Sequence, residues 1–164
     1  MLSEKVQDAI NEQIKNELYS AYLYLAMSAH FETAGLPGFA KWTRLQAQEE
    51  NEHAMKFFDY INERGGRVVL QAIDQPPVKY GSALDVFKAI LDHEKLVTAL
   101  IHKLYETAGK EKDFATQIML HWFISEQVEE EANATKLVEQ LQMVEEHQGT
   151  LLHLDRQAGK RAEE

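Results

Sequence analysis

Glu17, Glu50, His53, Glu94, Gln127 and Glu130 interrupt stripes of residues that are otherwise apolar at every third or fourth position. Such stripes face a core, so each of these polar groups is expected indoors. A buried cluster of carboxylates is untenable alone, because desolvation and mutual repulsion force protons onto some of them. Two divalent cations resolve the conflict: the glutamates at 17, 50, 94 and 130 supply four negative charges against four positive. One imidazole among oxygen donors suits iron or manganese better than a structural zinc, which favours Cys and His. Glu50 and His53, three residues apart, can reach one ion from a single helix face. A second acidic set, Glu126, Glu129 and Glu130 with Glu49 beside Glu50, is a candidate for a further cation. The run Glu129-Glu130-Glu131 also reads as a solvated face, the usual meaning of such runs, although the stripe phase turns Glu130 inward.

The elements that must position these groups follow from the breaks in the chain. Gly35-Leu36-Pro37-Gly38 is the first interruption, and Gly65-Gly66 opens a second that runs through Pro76-Pro77 to Gly81. Gly109 and Gly149 have the look of residues just past helix ends. Between the breaks lie stretches rich in Ala, Leu, Glu, Lys and Gln, with helical periodicity and no strand alternation. They predict helices at about 4–34, 38–64, 82–108 and 113–147 and a short one at about 151–158, with Ser82, Asp113 and Thr150 as N-caps. Short loops make the first two and the next two helices antiparallel hairpins. The 66–81 link spans ~50 Å when extended, enough to run the length of a ~42 Å bundle. The expected fold is all-α: a single-domain four-helix bundle over residues 1–164 with one long crossover and a short fifth helix. Measured from the turns near residues 36 and 111, the six polar groups fall within about 3–8 Å of one height in each hairpin.

Composition narrows the chemistry further. Seventeen Lys and Arg against 27 Asp and Glu leave a net charge of −10, which disfavours nucleic acid and anionic membrane surfaces and suits cations. The absence of Cys excludes disulfides, iron–sulfur clusters and thiol nucleophiles. No apolar stretch approaches the ~20 residues of a membrane span, and no signal peptide is visible, so the expected location is the cytoplasm.

Glu17 with Tyr24, the segment Gln48-Glu49-Glu50-Asn51-Glu52-His53-Ala54-Met55, His93-Glu94, and Ser125-Glu126-Gln127-Val128-Glu129-Glu130-Glu131 together resemble the prokaryotic non-haem ferritins. The resemblance extends over essentially the whole chain. It implies a ferroxidase that oxidises Fe(II) with O₂ or peroxide at a di-iron centre and deposits ferric mineral inside a hollow 24-subunit shell. By motif, Glu17, Glu50 and His53 would hold one iron, Glu50 would bridge, Glu94 and Glu130 would hold the second, and Gln127 would sit close by. Glu49, Glu126, Glu129 and Glu130 would form a third iron site. Tyr24 would donate an electron or hydrogen-bond to Glu94, with Trp122 a candidate for a similar part. Related haem-binding shells carry a Met beside the second-helix ligand; Asn51 stands there, which implies no haem. Gln117 and Leu120 match the positions where eukaryotic relatives have channel carboxylates, so that iron route is in doubt. Leu151-Leu152-His153-Leu154 is expected to bury against symmetry mates, and the tail from Gly159 to fray. His30, His93, His102, His121, His147 and His153 are expected mainly at surfaces or interfaces. Iron release would rely on a reductant or a small ferredoxin.

Two alternatives remain. One is a di-iron oxidoreductase or peroxidase acting without storage, for which Trp42, Phe57 and Phe123 leave little substrate room. The other is a sequestering shell with no oxidase chemistry.

Overall fold

The computed structural model describes residues 2–144 and 147–161. Five helices follow in order: α1 (Glu4–Thr33), α2 (Pro37–Glu63), α3 (Ala83–Lys110), α4 (Phe114–Val144) and α5 (Gln148–Ala158), with no strand among the described residues. α1 pairs with α2 and α3 with α4, α1 also packs on α3, and α5 lies on α2 and α4. The first four are the long helices of a bundle, and residues 64–82 are the crossover.

Local chemistry explains most boundaries. Ser3 Oγ accepts from the Val6 amide at 3.3 Å to start α1. After α1 the chain turns through Gly35 at φ +73°, a conformation costly for a residue with a Cβ. Ser82 and Asp85 form a reciprocal capping box at the start of α3. Asp113 Oδ1 accepts from the Thr116 amide at 3.1 Å, and the Arg64 guanidinium grips the same carboxylate twice, tying the end of α2 to the start of α4. The crossover is pinned early: Asn11 donates to the Arg67 carbonyl (3.1 Å) and accepts from the Val69 amide (2.9 Å), while Gln7 accepts from the Arg67 amide.

The expectations at Gly109, Gly149 and Thr150 are corrected. Gly109 lies inside α3, because the left-handed turn after that helix falls on Lys112 (φ 55°). Gly149 and Thr150 lie inside α5, which begins at Gln148 without a side-chain cap. The expected end of the fourth helix, residues 145–147, falls partly outside the described residues.

α5 docks on its own chain. Leu154 and Ala158 are buried, whereas Leu152 stays exposed. Leu36 precedes α2 and has no side chain able to cap it; Asp155 of α5 does so instead, accepting from the Phe39 amide at 2.8 Å. A Cβ on Gly38 would stand 1.7 Å from the Asp155 carbonyl oxygen, so only glycine permits this approach. Burial of the apolar residues of α5 therefore begins within the subunit, and not solely against symmetry mates.

The core is divided. One apolar cluster gathers around Phe31, Phe39, Trp42 and Phe87; the other around Ile10, Ile14, Phe57, Ile101, Leu120 and Phe123. Between them along the helices lie the polar positions 17, 50, 53, 94, 127 and 130, every one buried.

Candidate metal centre

α1 delivers Glu17, α2 delivers Glu50 and His53, α3 delivers Glu94, and α4 delivers Gln127 and Glu130. Glu17, Glu50 and His53 each turn a ligand atom inward so that the three lie within 4.8 Å of one another. Among the described residues no other trio of His, Asp or Glu is drawn that close. His53 Nδ1 is 3.5 Å from Glu50 Oε2. The His53 ring packs edge-on against Trp122 and Phe123, with centroids 5.3 and 6.0 Å away, which fixes its plane. Trp122 is 41% exposed and carries the Lys56 ammonium over its outer face.

The two carboxylates of this trio are under-satisfied. Glu17 Oε1 accepts from Gln13 Nε2 at 2.8 Å, but Glu17 Oε2 and Glu50 Oε2 are buried with no hydrogen-bond partner. Orphaned buried oxygens are rare and costly, and a cation supplies what they lack. Burial raises the Glu17 pKa well above the ordinary carboxylate range, and the neighbouring Glu50 adds to it. Burial, then Glu94 and Glu130, do the same to Glu50.

The α3–α4 side is furnished differently. The Tyr24 hydroxyl donates to Glu94 Oε1, and Gln127 Nε2 donates to Glu94 Oε2 at 3.1 Å. Gln46 Nε2 donates to Glu130 Oε2 at 2.7 Å. Burial still raises Glu94, and burial with the nearby Glu94 charge lifts Glu130 to about 7. The Tyr24 hydroxyl is pushed up by burial and then by Glu94, so it remains a proton donor.

Several contributors were not singled out by the spacing argument. Gln13 and Gln46 each stand four residues before a buried glutamate, as Gln127, already marked by its place in the stripe, stands three before Glu130. A glutamine one turn ahead of a stripe glutamate is a usable signal: its amide steadies a carboxylate without neutralising it. His93, expected at a surface or interface, is half-buried against α1: it hydrogen-bonds Ser20 Oγ at 2.7 Å and packs edge-on to Tyr24, and burial lowers its pKa to about 4.

The second acidic set is not gathered in the same way. Glu129 is exposed, Glu126 is half-buried, and Glu49 is held by Arg161 through bonds of 2.6 and 2.5 Å. Of the tail from Gly159, expected to fray, Arg161 is placed against the bundle and Lys160 is exposed; residues 162–164 lie outside the described residues. Gln117 is half-buried and Leu120 fully buried, Leu120 in the core.

A four-helix bundle that buries glutamates from all four helices and one imidazole in its middle has the architecture of the ferritin-like carboxylate proteins. Residues 7–144 match the ferritin family, described as the Ferritin-like domain. A bacterial non-heme ferritin of Bacteroides fragilis (strain 638R) is 44% identical over 161 residues, covering 98% of this chain and all of the relative. One from Staphylococcus saprophyticus is 37% identical, covering 99% and 97%. The open-pore ferritin of the hyperthermophilic archaeon Archaeoglobus fulgidus superposes with a TM-score of 0.98 at 49% identity, covering 99% and 100%. The chain belongs to the ferritin family, among its prokaryotic non-haem members.

No helix among the described residues is long and apolar enough to cross a membrane.

Proposed function

We propose that this chain stores iron and oxidises it on entry, as the names of its relatives also suggest. Fe(II) and O₂ are the substrates, or peroxide in place of O₂. Glu17, Glu50 and His53 take the first Fe(II). Glu50, Glu94 and Glu130 take the second, with Glu50 shared and Gln127 alongside. Each Fe(II) gives one electron, and two together take O₂ to the peroxide level. Ferric product then hydrolyses to a mineral inside a hollow homo-oligomer of 24 chains in the cytoplasm.

This chain's own groups do three things. The buried carboxylates bind cations by exchanging protons for metal, because their raised pKa values leave protons to displace. Gln13, Gln46 and Gln127 hold those carboxylates in place while adding no charge. Tyr24 steadies Glu94 and is the nearest phenol from which an electron can be drawn. Glu49, Glu126, Glu129 and Glu130 serve a third iron, and Trp122 on the His53 ring is a second candidate electron donor. Asn51 offers no haem ligand. Release of iron calls for an external reductant or a small ferredoxin.

One observation carries the reading: two orphaned carboxylate oxygens, on Glu17 and Glu50, in a buried polar layer that splits an otherwise apolar core. The test is anaerobic Fe(II) titration followed by O₂, with particle size read on the same sample. Two or three ions per chain, oxidised quickly inside a particle of 24 subunits, is the expected result. A small oligomer that consumes O₂ yet lays down no mineral would replace storage with di-iron oxidoreductase chemistry. Binding without Fe(II)-dependent O₂ uptake would leave sequestration alone.

A further inference from the structure

Arg161 stands three residues past the end of α5, yet its side chain is four-fifths buried. Its guanidinium donates to both oxygens of Glu49, at 2.6 and 2.5 Å, and to Gln46 Oε1 at 2.7 Å, while lying 5.0 Å from the Trp42 ring centre. A guanidinium only donates, so Gln46 must turn its oxygen to Arg161 and its nitrogen to Glu130. The end of α5 is thereby one glutamine away from the metal layer.

This contact is not needed to dock α5. Asp155 on the α2 N-terminus, the Gly38 approach, and buried Leu154 and Ala158 already hold the helix. What Arg161 adds is a positive charge at the acidic residue adjoining Glu50. One guanidinium nitrogen spans both oxygens of Glu49 while the other goes to Gln46, so the cation covers the edge of the carboxylate that a metal ion held by both oxygens would need.

We propose that Arg161 is a tethered counter-cation: it occupies Glu49 in the metal-free chain and must leave before a metal ion binds there. Its departure also frees the Gln46 oxygen, so filling this site removes one of the two bonds that orient the amide held on Glu130. The inference rests on the reading that Glu49 serves a third iron, and it makes the tail past α5 the competitor for that position.

The test uses assembled full-length protein and Zn(II), which is redox-inert, in anaerobic calorimetry beside hydrogen exchange. The Glu17–Glu50–His53 site is the internal control. In Arg161→Gln, the weakest class of bound Zn(II) should tighten roughly tenfold or more, the scale of one lost charge-assisted pair, while the tightest class is unchanged. Arg161→Lys, which keeps charge without the fork, should fall between. In the unaltered protein, exchange across Gly159–Arg161 should rise only when the weaker class fills. Equal weak-class affinity in all three proteins, or exchange indifferent to Zn(II), would overturn the proposal while leaving the centre intact. Loss of the tightest class even in the unaltered protein would overturn the metal-centre reading and this inference with it.

Discussion

The two halves of the polar layer hold the same kind of carboxylate in opposite states. On the α1–α2 side, Glu17 and Glu50 each keep a buried oxygen with no partner. On the α3–α4 side, Glu94 is held by Tyr24 and Gln127, and Glu130 by Gln46. Desolvation burdens both halves, so the difference lies in hydrogen bonding. The first half has lone pairs open to a cation and an imidazole to complete the shell. The second half has exchanged some of that capacity for fixed geometry. A cation should therefore enter first at Glu17, Glu50 and His53, and a second should bind more weakly, since it competes with standing hydrogen bonds.

The largest effect should come from emptying the open half. Glu17→Ala or His53→Ala should weaken binding of the first ion more than about 100-fold and abolish fast oxidation, with the shell still assembled. Calorimetry and stopped-flow absorbance read this, and an unchanged rate would remove those residues from the site. Glu17→Gln should in addition raise the melting temperature of the metal-free protein, because it deletes a buried ionisable group.

The furnished half should separate the ions. Glu130→Gln should leave one tightly bound ion per chain instead of two. Retention of both at full affinity would mean that the halves are not distinct.

The Glu130 pKa of about 7 in the folded chain lies above its ordinary 4.5. Between those values the folded chain keeps a proton that the unfolded chain has lost. Stability of the metal-free protein should fall as pH rises through that window, by ~3 kcal/mol at most from this group. Divalent metal should reverse the loss, and second-ion affinity should climb from pH 6 to 8 with proton release. Urea unfolding with and without Zn(II) at several pH values checks both signs.

Smaller effects belong to the supports and the outer acids. Tyr24→Phe removes one donor to Glu94 and should change second-ion affinity by only a few-fold to tenfold. Glu126→Ala and Glu129→Ala should alter the Fe:O₂ ratio or later turnovers more than the initial rate. Unchanged stoichiometry and iron binding in both would reduce those residues to a solvated face.

Much of this was legible in the sequence because helical periodicity is a local signal. A 3.6-residue repeat betrays a polar residue in an apolar stripe wherever it occurs, and turn positions fix its height. Glu17, Glu50, His53, Glu94, Gln127 and Glu130 were found on those grounds, and all six are buried. Contacts between distant residues leave weaker local signals. Gly109 resembles a helix terminator, yet it lies inside α3, because the left-handed turn that ends the helix falls on Lys112. His93 gave no sign of Ser20, which lies on another helix. Asp155 and Gly38 are 117 residues apart, and neither alone announces a close approach between two helices.

The sequence by itself determined that four long helices share one buried carboxylate layer, since burial pattern and charge count need only neighbours along the chain. Only the tertiary structure decided which oxygens in that layer are open, which are held, and that Arg161 reaches Glu49. Hydrogen bonds between helices act over a few ångströms, and only the packed chain brings such distant residues within that range.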